Sequence, residues 1–223
     1  MTHYLGLSGC IQGYCAQVHV IDFPTGAYLR LAQESDRADL YRVCVQTADV
    51  GKDASHLYGD EAMVGEIYVG PYLTFEPEYS YALVDGDVTG YLLATFDTAK
   101  FEEREEREWW PQLRAKYNAI GIENLTDEER NFFAHMQDPP RTPAHIASAF
   151  PSQVHIDMVT KSQGHGYGKP MILHILNQLT QAGSPGVHLH VNPVNDRAIG
   201  FYEKLGFVIS ERLPSELLMT KKL

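Results

Sequence analysis

Three stretches of the chain carry residues whose types and spacing could do chemistry. The first runs from Gln163 through Gly164, His165, Gly166, Tyr167 and Gly168 to Lys169 and Pro170. Glycines at alternate positions let backbone N–H groups turn inward and approach a ligand closely. At the start of a helix such amides, aided by the helix dipole, form an anion site, and phosphate is the expected anion. The second stretch is Asn195 to Phe207, NDRAIGFYEKLGF, with Tyr202 inside it. The third is a set of titratable side chains at alternate positions, His155 and Asp157, then His188 and His190. These types suit proton transfer.

The elements that position them follow from periodicity. Val154, Ile156 and Met158 alternate with His155, Asp157 and Val159, which predicts a strand. Ile172, Leu173, Leu176 and Leu179 then recur at helical spacing, with Pro170 in the first turn and Gly183 as a stop. Val187–Val191 reads as the next strand, and Asn195 as the cap of a helix over 197–204. A Walker loop needs Gly-Lys-Ser/Thr, and Pro170 follows Gly168-Lys169 here. A dinucleotide fingerprint belongs on the first strand of a βαβ unit, whereas this turn comes late. Both readings fall away. The histidine pairs lack a cysteine or a third clear ligand, so no metal is expected.

Upstream, strands are expected at 27–31, 79–84 and 88–96, the last two joined by Asp85-Gly86-Asp87, a strong hairpin signal. Ser35 should cap a helix through Val45, and a second helix should run from about Asp60 to Val69 until Gly70-Pro71 breaks it. The segment from about 100 to 151 interrupts the sheet pattern. It opens on Phe101–Trp110, whose interleaved charges read as a solvated helix face anchored by Trp109 and Trp110, which pack or line an acceptor groove. Thr126-Asp-Glu-Glu129 reads as a capping box, and a proline-containing loop should return the chain to Val154. Residues 1–26 read either as an N-terminal extension or as a short strand at 18–21, and 27–223 as one α/β (α+β) domain with a helical insertion.

The whole chain has 223 residues, 44% of them hydrophobic, enough for a sizeable core. Its formal net charge is -11. Such a chain repels phosphate backbones, so no nucleic-acid partner is expected, and it suits a cationic one. Cys10, Cys15 and Cys44 form no disulfide framework by count or spacing. No membrane span or signal peptide is legible, and a cytoplasmic location is the expectation.

The pairing of a Gln-x-x-Gly-x-Gly-type turn with the Asn195–Phe207 helix resembles the GNAT acyltransferase superfamily. The likeness narrows further. Asp39–Cys44, Val64–Leu73, Val88–Leu93, the Trp109-Trp110-Pro111 helix ending at Lys116-Tyr117, and His155–Met158 resemble the C-terminal acetyltransferase-like domain of the O-GlcNAcase family, over roughly 27–223. That family's hydrolase domain cannot fit in 223 residues, so a free-standing relative is expected. In the animal domain the glycine turn is degraded, whereas Gln163, Gly164, Gly166 and Gly168 all stand here.

The resemblance implies a GNAT fold, a central mixed twisted sheet flanked by helices, and acetyl-coenzyme A as cosubstrate. It implies that the backbone of Met158 and Val159 pairs with the pantetheine arm, and that amides of Gln163, Gly164, His165, Gly166, Tyr167, Gly168 and Lys169 hold the pyrophosphate. Asn195 would bond the pantetheine or cap its helix, and Tyr202 would protonate the leaving thiolate. The activity implied is direct acetyl transfer to an amine, a small molecule or a lysine of a basic peptide, by a monomer or homodimer. Attack needs a neutral amine, and neutralising a lysine-type amine at pH 7 costs about 4–5 kcal/mol. A base must offset that. Asp157 is the first candidate, directly or through a water, and His155 the second; His188 and His190 could relay a proton. Each has a bland rival: Tyr202 as a packed core tyrosine, Asp157 as a structural carboxylate. The alternative function is an inactive domain that binds a protein or peptide.

Overall fold

The computed structural model describes residues 18–223. The first seventeen residues of the expected N-terminal extension, with Cys10 and Cys15, lie outside the described residues. The short strand weighed against that extension is present: β1 (His19–Asp22) pairs antiparallel with β2 (Tyr28–Leu31). Strands β3 (Ser80–Asp85), β4 (Asp87–Thr95), β5 (Ser152–Met158), β6 (Gly186–Val191), β7 (Val208–Arg212) and β8 (Leu217–Lys222) complete one eight-stranded sheet. The order is β1-β2-β3-β4-β5-β6-β8-β7. All neighbours run antiparallel except β5 and β6. Gly86, at φ +73°, supplies the turn of the β3–β4 hairpin.

Helices cover both faces of this mixed sheet. On one face α8 (Gly168–Gln181) buries Met171, Ile172, Ile175, Leu176 and Leu179. Each such side chain contributes roughly 1.5–3 kcal/mol of burial. They pack with Val154, Leu189 and Tyr202, and α9 (Asp196–Lys204) covers the same core. On the other face lie α1 (Arg37–Val45), α2 (Ala62–Tyr68) and α3 (Gly70–Phe75), over a second core that includes Tyr91, Leu93 and Val159. Gly70-Pro71 does not simply end α2. Proline is tolerated in a first turn, so the pair starts α3. Ser35 is not a cap either: it lies inside a 3₁₀ turn, Glu34–Asp36, and Asp36 is held by the buried Arg30 guanidinium at 2.8 Å.

The insertion between β4 and β5 holds four helices: α4 (Thr98–Arg104), α5 (Trp110–Ile120), α6 (Asp127–Gln137) and α7 (Ala144–Ala149). Thr126 and Glu129 form the expected capping box on α6. The expected proline-containing loop runs over 139–143, and a short helix, α7, follows it before β5. Between α4 and α5 the chain widens into a π-helical turn, Glu105–Trp109. Pro111 accounts for it: proline has no N–H to donate, and its ring clashes with the carbonyl four residues back. The charged face expected over 101–110 is mostly solvated, with one exception: Glu105 is buried. Trp109 donates from Nε1 to the Glu66 carbonyl at 2.8 Å, and Trp110 packs with Met63, Leu113 and Tyr117.

Candidate active site

The parallel pair β5–β6 holds the site. Only Ser152–Val187 and Gln153–His188 are in register. Beyond them β5 continues along β4 while β6 continues along β8, so a wedge opens between the two parallel strands. Val159 donates its N–H to the Thr89 carbonyl at 2.9 Å. In an antiparallel ladder alternate residues point their backbone groups to opposite edges. Asp157 therefore turns its backbone to β4, and Ile156 and Met158 turn theirs to the wedge. Val159 was expected to share that edge with Met158. It does not, because its N–H goes to Thr89 and its carbonyl accepts from the Ser162 N–H. Ile156 takes its place.

At the mouth of the wedge stands the glycine turn. Gly164 and Gly166 have φ of +82° and +84°. An added Cβ at either would meet no atom within 4 Å, so glycine is required there by conformation, not by crowding. Among the described residues no acceptor meets the amides of Gly164, His165, Gly166, Tyr167, Gly168 and Lys169, which lead into the first turn of α8. Gln163 differs from the expectation. Its own N–H goes to the Thr160 carbonyl at 3.2 Å, and its side chain holds the Met158 carbonyl at 2.8 Å while accepting from Arg197 of α9. Gln163 thus braces the turn against β5 and α9. The Tyr167 ring is buried, and its hydroxyl bonds Thr25 at 2.7 Å, so only its backbone can face an anion. Asn195 caps α9, its Oδ1 accepting from the Ala198 N–H at 3.0 Å. A run of free amides at a helix N-terminus beside an extended, half-unpaired strand fits a diphosphate joined to an amide-bearing arm.

On the opposite side of β5 from Ile156 and Met158, three side chains meet. Asp157 Oδ2 accepts from the Tyr91 hydroxyl at 2.8 Å and lies 2.9 Å from His155 Nε2. Both His155 and Asp157 are about one-third exposed, at 31% and 33% of their side-chain surface. Tyr91 is fully buried, and burial, with the nearby Asp157 charge, pushes its pKa well above the ordinary phenol value. It stays a donor. If Nε2 carries the proton to Asp157, Nδ1 is left as an acceptor; this tautomer is assigned from the hydrogen-bond pattern. Nothing local in the sequence flags Tyr91. Its role comes from the register that sets it opposite Asp157 in the β4–β5 ladder.

Tyr202 packs against Phe201 and Phe207 in the core. Burial, and then the Asp157 charge, push its pKa up, so it too stays protonated. No protein hydrogen bond to its hydroxyl is present among the described residues. His188 and His190 do not form the expected relay. His188 is buried, with Nδ1 on the Phe150 carbonyl at 2.7 Å, and His190 Nδ1 pairs with Glu216 at 2.9 Å. Neither bonds His155 or Asp157. No group of three or more His, Cys, Asp or Glu side chains is arranged to hold a metal among the described residues.

A cleft of about 330 Å³ opens between the insertion and the sheet, with His155 in its wall. Trp110, which the sequence left between packing and groove, does both: it packs in the insertion core and faces this cleft.

A splayed parallel pair, an amide turn before α8 and a capped α9 are the arrangement of the GNAT fold. Residues 150–207 match the acetyltransferase (GNAT) family, and the chain carries a GNAT acetyltransferase domain. It is similar to Protein O-GlcNAcase of Rattus norvegicus, 28% identical over 173 residues, which is 77% of this chain and 19% of that protein. The chain thus spans about 19% of the length of the O-GlcNAcases it matches. A mycothiol acetyltransferase of Nocardiopsis dassonvillei is 45% identical over 47 residues, 21% of this chain and 14% of that one. Among solved structures, SsHAT superposes with a TM-score of 0.79 at 29% identity, over 88% of this chain and 98% of that one. The PaiA N-acetyltransferase of Thermoplasma acidophilum, solved with coenzyme A, shares the fold at a TM-score of 0.53 and 13% identity, over 88% and 98%.

Proposed function

We propose that this chain is an acetyl-coenzyme A-dependent N-acetyltransferase that transfers acetyl directly to an amine, with no covalent acyl-enzyme. One observation carries the reading. The acceptor-free amides of Gly164–Lys169 stand at one end of the β5 wedge, and His155 and Asp157 sit on the same strand, joined by Tyr91 from the neighbouring β4. Bound there, the coenzyme would supply an activated thioester.

The chain's own residues then have distinct tasks. The amides of Gly164–Lys169 and the α8 N-terminus hold negative charge. The N–H groups of Ile156 and Met158 face the wedge and can polarise a carbonyl. His155 lines the cleft and keeps Nδ1 without a protein partner among the described residues; through that nitrogen it takes the proton from the incoming ammonium, while Asp157 and Tyr91 fix the imidazole's orientation. This reverses the sequence-based priority. Asp157 Oδ2 is engaged by two partners, whereas His155 keeps a free nitrogen. A thiol is the stronger acid than a phenol by roughly 1.5 pKa units in water, and burial weakens Tyr202 further. Tyr202 therefore stabilises a departing thiolate chiefly by donating a hydrogen bond.

Isothermal titration with acetyl-coenzyme A tests the reading: micromolar binding is expected, and no heat at millimolar concentration would sink it. Tyr202→Phe should lower kcat more than coenzyme affinity, and unchanged turnover would remove Tyr202 from this role. The likeness to O-GlcNAcase motivates the rival, an inactive domain that binds a protein or peptide. Coenzyme binding without turnover on any amine of a broad panel would favour it.

A further inference from the structure

One carboxyl facing the cleft has no partner. Glu105 opens the π-helical turn of the insertion, on the stripe that buries Phe101 before it and Trp110 after it. It is 9% exposed, at a position where a hydrophobic side chain would be expected. Among the described residues it makes no hydrogen bond and no ion pair. The cleft's other carboxyls are committed. Glu106 pairs with Arg114 at 2.8 Å, and Glu216 with His190 at 2.9 Å. Glu102 accepts from the Thr142 N–H at 2.9 Å, with Arg141 at 4.0 Å. Tyr72, Phe101 and Trp110 line the space around Glu105, and His155 of β5 lines the same cleft.

A lone buried carboxyl among aromatic faces is the complement of an organic cation. We propose that this cleft is the acceptor pocket and that Glu105 selects a small diamine or polyamine, holding one ammonium while the other amine is acetylated beside His155. This rests on the N-acetyltransferase reading. The volume, about 330 Å³, lies in the small-molecule range, and the aromatic side chains give the methylene chain an apolar wall.

Proton linkage makes the role measurable. Burial, and then the Glu102 charge, push the Glu105 pKa up to about 8, so the free protein holds this carboxyl mostly protonated at pH 7. An arriving ammonium ionises it, and the proton leaves to solvent. Affinity for a dication should therefore rise with pH, more than tenfold between pH 6 and 8. Glu102 and Arg141 flank Glu105, while His135, His190 and Glu216 also face the cleft, so the Gln variant is needed to assign the effect.

The experiment is calorimetric titration of 1,4-diaminobutane, spermidine and butylamine into the protein, alone and with saturating coenzyme A, in two buffers of different ionisation enthalpy. The wild type should bind the diamine at least tenfold more tightly than butylamine and release close to one proton. Glu105→Gln should bind both alike, release no proton from this site and keep its coenzyme A affinity. No diamine preference in the wild type, or a preference that survives Glu105→Gln, would overturn the proposal. Should Glu105→Gln not fold, Glu105→Leu takes its place in the same titrations, and an affinity flat from pH 6 to 8 in the wild type refutes the proposal. Loss of coenzyme A binding with the diamine preference intact would instead overturn the acetyltransferase reading.

Discussion

The glycine turn gives the sharpest test of the coenzyme site, because its strain and its ligand contacts can be separated. Gly164 and Gly166 sit at φ +82° and +84°, and an alanine Cβ at either would touch nothing within 4 Å. Gly164→Ala and Gly166→Ala therefore introduce strain without collision, worth roughly 1–2 kcal/mol each for a non-glycine residue in the left-handed region. Gly168 is the internal control. Its φ is not positive, and its Cβ would meet the Phe201 ring at 3.2 Å, a contact the ring can relieve.

Two outcomes follow from where the strain falls. If the turn keeps its conformation in the free protein, the strain appears as a loss of stability, roughly 2–4 °C in Tm per kcal/mol for a chain of this size. If the free turn relaxes, the strain is met on binding, and coenzyme A affinity falls by roughly 5- to 30-fold, from 1–2 kcal/mol at 1.4 kcal/mol per decade. Either way the summed loss should reach about 1–2 kcal/mol per site. Melting curves and coenzyme A titration on each variant measure both parts. A loss of affinity well beyond that range would mean that the Cβ also blocks close approach of the ligand. Full stability and full affinity in both variants would refute the turn as an anion cradle.

Three further outcomes are expected. Tyr91→Phe removes a buried donor from Asp157 and should lower kcat while leaving coenzyme A affinity within about twofold; kinetics and titration together decide, and unchanged kcat would reduce Tyr91 to packing. His188 is buried neutral, with its pKa pushed down to about 4. The unfolded chain then binds more protons, so this residue's contribution is intact at pH 7 and falls by about 2 kcal/mol at pH 5, as pH drops through the unfolded histidine value; His188→Asn should flatten that part of the melting profile, and an unchanged slope would contradict it. Glu105 has the opposite sign, because its folded pKa of about 8 lies above the unfolded carboxyl value. Its stability is present at pH 4 and lost as pH rises to about 8, so Glu105→Gln should melt higher than wild type at pH 8 but not at pH 5.

What the sequence could and could not reveal follows from the range of each interaction. Turn and helix-end signals act within a few residues, which is why the Asp85–Asp87 hairpin, the Thr126–Glu129 box and the Asn195 cap were all legible. The tie between Gln163 and Arg197 spans 34 positions, and that between Tyr91 and Asp157 spans 66. Such ties depend on register, which no local pattern carries. Val159 shows the limit most clearly. It alternates correctly along the strand, yet the Thr89 carbonyl claims its N–H, and the edge facing the wedge passes to Ile156. Glu105 shows the converse. In the run EEREERE it is one charge among many, and helical spacing averages it into a solvated face. Pro111 widens the turn that precedes it, and Phe101 sets the buried stripe on which Glu105 falls. One carboxylate of that run thereby leaves solvent and meets the cleft that also receives His155. A composition argument could say only that an acidic chain suits a cationic partner. The folded chain narrows this to a single side chain, because every neighbouring carboxyl already has a partner of its own.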